Sequence, residues 1–188
     1  MCNVKFTKKE KELLIDWLSD DLDLQIRQNL FEAKNLTLIK LLKSTEGLYF
    51  GYDKKQISFS IAEDEGLALR TFPEQQNIHP NFQTLNMFAY SVASIVCDKL
   101  NINLKGLKRV NYNFYHSLSK GNTHIDSETD KCVSILYNLN TNDGYTQVEE
   151  NKFNSNESEA IVFNSNIKHK GVGPTKGLRY NINIIIYT

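Results

Sequence analysis

Neither sign of charge prevails in this 188-residue chain: 22 basic side chains stand against 22 acidic ones, and the formal net charge is zero. Whole-surface attraction to a polyanion is thereby excluded, and a nucleic-acid binder would need a local basic patch. Cysteine is scarce as well. Cys2, Cys97 and Cys132 are odd in number and lack CxxC spacing, which argues against a disulfide framework or a cysteine zinc site. They read as free thiols of a reducing cytoplasm. No apolar run reaches membrane-spanning length, and the start MCNVKFTKKEKELL lacks the apolar core of a signal peptide. Repeats and low-complexity segments are missing too; the nearest approach is NKFNSNESE, 151–159, expected to be a polar loop. What remains is a chain sized for a single domain, 1–188, able to bury roughly 70% of its unfolded surface.

Thr7 and Glu10 have the spacing of a capping box, and Leu13, Leu14, Trp17 and Leu18 follow as one apolar stripe, so a helix is expected over about 8–18. A second helix is expected over 23–43, with Ile26, Leu30, Ala33 and Leu41 on one face and Gly47 as its stop. From Leu48 the period changes to two. LYFGYD and QISFSIA flank Lys54 and Lys55 as a hairpin, and LALRT is a further short strand. Pro80 then opens the most amphipathic helix of the chain. Phe82, Leu85, Phe88, Ala89, Val92, Ile95, Val96 and Leu100 share one face, while Gln83, Asn86, Ser94 and Asp98 lie off it. Beyond Arg109 the pattern is strand and turn: 109–116, 124–126, 131–139, 144–149, 160–165 and 177–187, with NTNDG at 140–144 as a turn and Pro174 and Gly177 bracketing another. Helices followed by many short strands specify an α+β domain, with residues 1–100 as helical support and added strands and 109–187 as a β-sandwich or open barrel.

The chemistry sits in that second part. Along 178–187 the residues Leu178, Tyr180, Ile182, Ile184 and Ile186 alternate with Arg179, Asn181, Asn183, Ile185 and Tyr187. One face is therefore apolar and suited to pack beneath the long helix. Arg179, Asn181 and Asn183 either point to water from a half-solvated sheet or line a cavity in which the guanidinium needs an anion. Asn111, Asn113 and Tyr115 likewise share one face, opposite Val110, Tyr112, Phe114 and His116. They are either polar lining residues or donors to a ligand carboxylate. His124 and Asp126, at i and i+2 on a strand, would share a face, with Ile125 turned into packing. With His169 from a neighbouring strand end they would supply two imidazoles and one carboxylate, which grip one face of a divalent metal. His79, beside Pro80, and His116, on the opposite strand face, read as structural.

These residues resemble the Fe(II)/2-oxoglutarate-dependent dioxygenases, most of all the prolyl 4-hydroxylase-like branch. The resemblance is carried by His124-Ile-Asp126, by LYNLNTNDGYT where that branch has YLN…GGxT, by VFNSNIKHKG containing His169, and by Arg179. It implies a double-stranded β-helix (jelly-roll/cupin-like) with N-terminal helices packed on the major sheet. It further implies His124, Asp126 and His169 as iron ligands and Arg179 as partner of the 2-oxoglutarate C5 carboxylate. Asn113, Tyr115 and Asn181 resemble the co-substrate contacts of AlkB-type demethylases, but a second arginine of that pattern, six residues after Arg179, is Ile185 here. The family's paired glycine is Gly144-Tyr145. The expected cofactors are Fe(II), 2-oxoglutarate and O2, and the expected reaction is hydroxylation of a C–H with release of succinate and CO2. The carboxylate at Asp126 disfavours halogenation, because halogenases of this superfamily carry Ala or Gly there. About 80 residues are covered; residues 1–80 match no motif.

The expected substrate is a peptide, an amino acid or a small molecule, selected by loops at Ser117–Thr123, Asp126–Lys131 and 151–159. Two rivals remain. One is an AlkB-like nucleic-acid demethylase, for which Lys105, Lys108 and Arg109, or Lys168, Lys170 and Lys176, would be the basic patch; such clusters are more often solvated surface. The other is a non-catalytic β-sandwich holding a structural metal.

Overall fold

The computed structural model describes residues 1–16, 67–72, 80–117 and 119–188. The helix expected over 23–43, its stop at Gly47, the hairpin that follows, Trp17, Leu18 and His79 all lie outside that set. The elements are β1 (Cys2–Lys5), α1 (Lys8–Asp16), β2 (Leu67–Phe72), α2 (Pro80–Leu100), β3 (Gly106–His116), β4 (Cys132–Asn138), β5 (Asn142–Val148), β6 (Asn151–Ser155), β7 (Glu159–Asn164), β8 (His169–Val172) and β9 (Leu178–Tyr187). Among the described residues, six strands form a major sheet in the order β1-β7-β4-β9-β3-β2, and three form a minor sheet in the order β6-β5-β8. Every pairing is antiparallel. The fold class is α+β, a double-stranded β-helix of the cupin and jelly-roll kind.

The capping box forms as its spacing requires. The Thr7 amide donates to Glu10 Oε2 at 2.6 Å, and the Glu10 amide donates to Thr7 Oγ1 at 3.3 Å. α1 turns Leu14 into the core but leaves Leu13 49% exposed, so the expected stripe narrows. α2 lies against the outer face of the major sheet. Leu85, Phe88, Ala89, Val92 and Val96 meet Val110, Tyr112, Ile135, Tyr137, Ile182, Ile184 and Ile186 in one continuous core. The apolar face of β9 thus packs beneath the long helix, as its alternation demands. The phenol of Tyr112 is fully buried within this layer and donates to the Leu85 carbonyl at 2.7 Å; burial holds its pKa well above the usual tyrosine value.

Period-two alternation then forces the opposite face of each strand into the space between the sheets. At one end Leu136, Ile161 and Phe163 meet Val148 of the minor sheet, with Phe153 and Ile167 beside them. Elsewhere that interior is polar. Register sets Asn111 opposite Asn183, Asn113 opposite Asn181, Tyr115 opposite Arg179, and Asn138 opposite Asn181 on the other side.

Three expectations need correction, and one strand, β1, has no counterpart among them. The 151–159 segment is half strand: β6 covers Asn151–Ser155 and pairs with β5. β1 joins the edge of the major sheet through β7. β8 forms a strand that His169 opens rather than ends. Finally, 124–126 is no strand, since only an isolated bridge joins His124 to His169. All four segments are short and polar, and their pairing is supplied by neighbours, which intrinsic propensity does not report.

Phe88 is fully buried, with its ring centroid 6.0 Å from that of Tyr137. Phe88→Ala is expected to cost about 3–5 kcal/mol in chemical denaturation. Tyr90→Ala, on the 48% exposed side of the same helix, should stay within about 0.5 kcal/mol of the parent.

Candidate metal centre

His124, Asp126 and His169 converge, with one ligand atom from each lying within 4.8 Å of the others. The backbone holds them without a full strand. His124 and His169 exchange N–H···O bonds of 2.9 Å in both directions, and the Asp126 and Ser127 amides both donate to the Ser165 carbonyl at 2.9 and 3.0 Å. Ile125 is 39% exposed rather than turned into packing. His124 is exposed, whereas Asp126 and His169 are buried.

The tautomers follow from the acceptors. His124 Nδ1 sits 2.9 Å from the Asn122 carbonyl and His169 Nδ1 sits 3.0 Å from the Ile167 carbonyl. A carbonyl can only accept, so each Nδ1 carries the proton and each Nε2 presents a lone pair. Burial pushes the His169 pKa below the usual histidine value, against the pull of Asp126, which keeps the ring neutral at neutral pH. The 3.4 Å approach of His169 Nε2 to Asp126 Oδ2 is therefore not an ion pair. Two lone-pair donors face each other with no proton to share, and a cation between them relieves the repulsion. The donor set, two imidazoles and a carboxylate, suits Fe(II) with open positions.

Asp126 is held from several sides. Oδ1 accepts from Arg109 Nη2 and, at 3.0 Å, from Asn183 Nδ2. Oδ2 accepts from Ser134 Oγ at 2.7 Å and from Asn183 Nδ2 at 3.2 Å. Ser134 Oγ lies in turn 2.9 Å from Ser165 Oγ. Such outer partners fix a ligand's orientation. Composition groups Arg109 with Lys105 and Lys108 in a basic cluster; the structure sets it on the Asp126 carboxylate. Its parity with Asn111, Asn113 and Tyr115 was the signal that marked it as inward-facing. Ser134 carried no such signal.

Arg179 stands at the other end of the polar chamber. It has no exposed surface, and it donates to the Tyr145 carbonyl at 2.6 Å, the Val172 carbonyl at 3.2 Å and Thr146 Oγ1 at 2.7 Å. Its guanidinium lies 5.1 Å from the centre of the Tyr115 ring. Each polar partner is neutral, Nε has none, and among the described residues no carboxylate pairs with it. Burial lowers its pKa to about 10, so it is still charged at neutral pH. A buried cation without a counter-charge calls for an anion.

Between Arg179 and Asp126 the lining is also undersatisfied. Asn113 Nδ2 donates to Asn181 Oδ1 at 2.9 Å, but Asn181 Nδ2, Asn183 Oδ1 and both polar atoms of Asn138 have no partner. Asn138, at 0% exposure, was not singled out by the sequence. Backbone comes close here: a Cβ on Gly171 would lie 2.5 Å from the Tyr115 hydroxyl, so only glycine leaves that phenol in place. The chamber thus offers unpaired amide groups and one unpaired cation, which suits a small dicarboxylate such as 2-oxoglutarate. His116 takes no part in the ligand cluster. A cleft of about 860 Å³ opens beside the site, with His169 in its wall and Glu149, Glu150, Lys168 and Lys170 around it.

No protein-family model matches the chain, and no curated protein matches its sequence. Solved structures share its fold. AviO1 from Streptomyces viridochromogenes Tue57 is 12% identical with a TM-score of 0.55, over 100% of this chain and 89% of that one. A prolyl hydroxylase from Trichoplax adhaerens, in complex with a hypoxia inducible factor oxygen degradation domain peptide fragment, is 17% identical with a TM-score of 0.53, over 96% and 91%. EvdMO1 is 13% identical with a TM-score of 0.59, over 82% of this chain and 44% of that larger one. Identities this low establish a common fold: the chain is built on the same double-stranded β-helix as these proteins. Among the described residues no helix is long and apolar enough to cross a membrane.

Proposed function

We propose that the chain is an Fe(II)- and 2-oxoglutarate-dependent oxygenase that hydroxylates a C–H of a peptide, amino-acid or small polar substrate. The observation that carries this is the 3.4 Å confrontation of His169 Nε2 and Asp126 Oδ2, with each histidine's Nδ1 proton already committed to a carbonyl. His124, Asp126 and His169 would hold the iron, and Arg179 would pair with the far carboxylate of the keto acid. When bound, the iron and 2-oxoglutarate supply activation of O2, coupled to decarboxylation to succinate and CO2 and to substrate hydroxylation.

The chain's own residues do the rest. Tyr115, stacked on Arg179, and the amides of Asn113, Asn138 and Asn181 line the co-substrate's path and replace its water shell. The buried position of Arg179 and Asp126 excludes solvent from both ends of that path. Exposed His124 and Ile125 mark the side on which substrate approaches. Glu149 and Glu150 balance Lys168 and Lys170 around the 860 Å³ cleft, so it offers no net basic track for a phosphate backbone, which favours a peptide or metabolite over a nucleic acid.

His124→Ala and Asp126→Ala are each expected to weaken Fe(II) binding by more than about 100-fold while leaving the circular dichroism of the parent. Equilibrium dialysis under anaerobic conditions measures this; unchanged affinity in both variants removes the site. Arg179→Ala should keep the metal and raise the KM for 2-oxoglutarate by about 10–100-fold, followed as succinate release. A KM equal to the parent's would mean that another cation anchors the keto acid.

A further inference from the structure

Asp126 presents its two oxygens to different company. Asn183 Nδ2 is shared between them, but only Oδ2 faces His169 Nε2 and accepts from Ser134 Oγ, and only Oδ1 meets Arg109 Nη2. We infer that Arg109 is a positioning residue that confines Asp126 to a single metal-facing oxygen; regular register sets it inward with Asn111, and a bulge in β3 brings Lys108 alongside it. The inference rests on the metal site proposed above and concerns how that site keeps its positions open.

Both placements are visible in the register. Leu107 pairs with Ile186 and Arg109 with Ile185, so Lys108 is the extra residue of a bulge. A bulge re-aims side chains that a regular strand would send to opposite faces. Here it lets two consecutive cations reach two consecutive residues of the ligand segment. Arg109 takes Asp126, and Lys108 Nζ donates to Ser127 Oγ at 2.5 Å. The backbone of that segment is tied by the His124–His169 bridge and by the Asp126 and Ser127 amides on the Ser165 carbonyl, which leaves the turn of the Asp126 carboxylate to side-chain bonds. Arg109 also crosses a burial boundary: its side chain is 23% exposed, whereas that of Asp126 is fully buried. The contact runs from one nitrogen, Nη2, to one oxygen, so it needs a cationic donor at that place, which a lysine can largely supply.

The consequence is a count of coordination positions. A facial triad leaves three positions open on an octahedral metal, two for a chelating keto acid and one for O2. A carboxylate that swings both oxygens onto the metal removes one of them. By occupying Oδ1, Arg109 keeps the third position available.

The experiment uses Co(II) as a spectroscopic probe in the full-length parent, Arg109→Met, Arg109→Gln and Arg109→Lys, with Lys105→Met as a control for neighbouring charge. The parent and Lys105→Met are expected to share one visible spectrum. Arg109→Met should bind Co(II) but show a weaker, shifted absorption of higher coordination, and its affinity for 2-oxoglutarate, titrated through the same bands, should fall about tenfold. Arg109→Lys should restore most of the parent spectrum. Should Arg109→Met fail to fold, Arg109→Gln, which keeps a polar end but loses the charge and the reach, is read in its place with the same expected direction. A parent-like spectrum and affinity in the variant read overturns the inference, as does equal impairment in Arg109→Lys. If 2-oxoglutarate leaves the parent spectrum unchanged, the proposed function fails, and the spectral comparison of the variants still decides the role of Arg109.

Discussion

A neutral imidazole nitrogen and a carboxylate oxygen that already accepts from a serine stand 3.4 Å apart in a buried pocket. Neither has a proton to give the other. The fold tolerates this because a ring of donors around it is complete: carbonyls fix both histidine tautomers, and Arg109, Ser134 and Asn183 hold the carboxylate. Much of the interior between the two sheets can be understood as the support for that one arrangement, with an unpaired cation, Arg179, at its far end.

The two ends are built differently, and the difference has a physical cause. Arg179 belongs to β9, which pairs with β3 along its whole length and with β4 from Asn181 onward. Its side chain is fixed by strand register and by the carbonyls of β5 and β8. His124 and Asp126 come from a connection with a single bridge. Whatever the backbone does not fix there, side chains must, which is why Asp126 is held by side-chain donors whereas Arg179 is held largely by backbone carbonyls. An open Nε on Arg179 and unpartnered amides on Asn138 and Asn181 are costs of about 1–3 kcal/mol each unless a ligand or water meets them.

Much of this was legible in the sequence. The amphipathic face of α2 and the apolar face of β9 were readable because each uses one strict period over many residues, and both faces meet in the same core. The polar parity of β3 and β9 groups Asn111, Asn113 and Tyr115, and Arg179, Asn181 and Asn183, on one face of each strand; that this face turns inward, not to water, is the structure's contribution. The departures share one character. β1, β6 and β8 are four or five residues long, and their pairing is imposed from outside. The 124–126 segment looked like a strand because HxD needs both side chains on one side; a bridged connection with outside bonds achieves the same convergence. Asn138 escaped notice because β4 reads as a continuous apolar run, in which an isolated amide has no pattern to join.

Arg109 shows where composition and geometry part company. Lys105, Lys108 and Arg109 look like one basic patch along the chain, yet their charges go to different places. Lys105 Nζ donates to the Thr188 carbonyl at 3.1 Å, Lys108 reaches Ser127, and Arg109 reaches Asp126. Two of the three positive charges are therefore spent on the ligand segment and one on the chain end. That weakens the case for a nucleic-acid partner at this face, since a phosphate would compete with partners these side chains already hold. It also recasts Ile185, whose apolar side chain stood where an AlkB-type pattern has arginine: the residue directly across from it on β3 is Arg109. A guanidinium is thus present at this level of the sheet pair, supplied by the neighbouring strand, and the pattern of one strand alone could not have shown it.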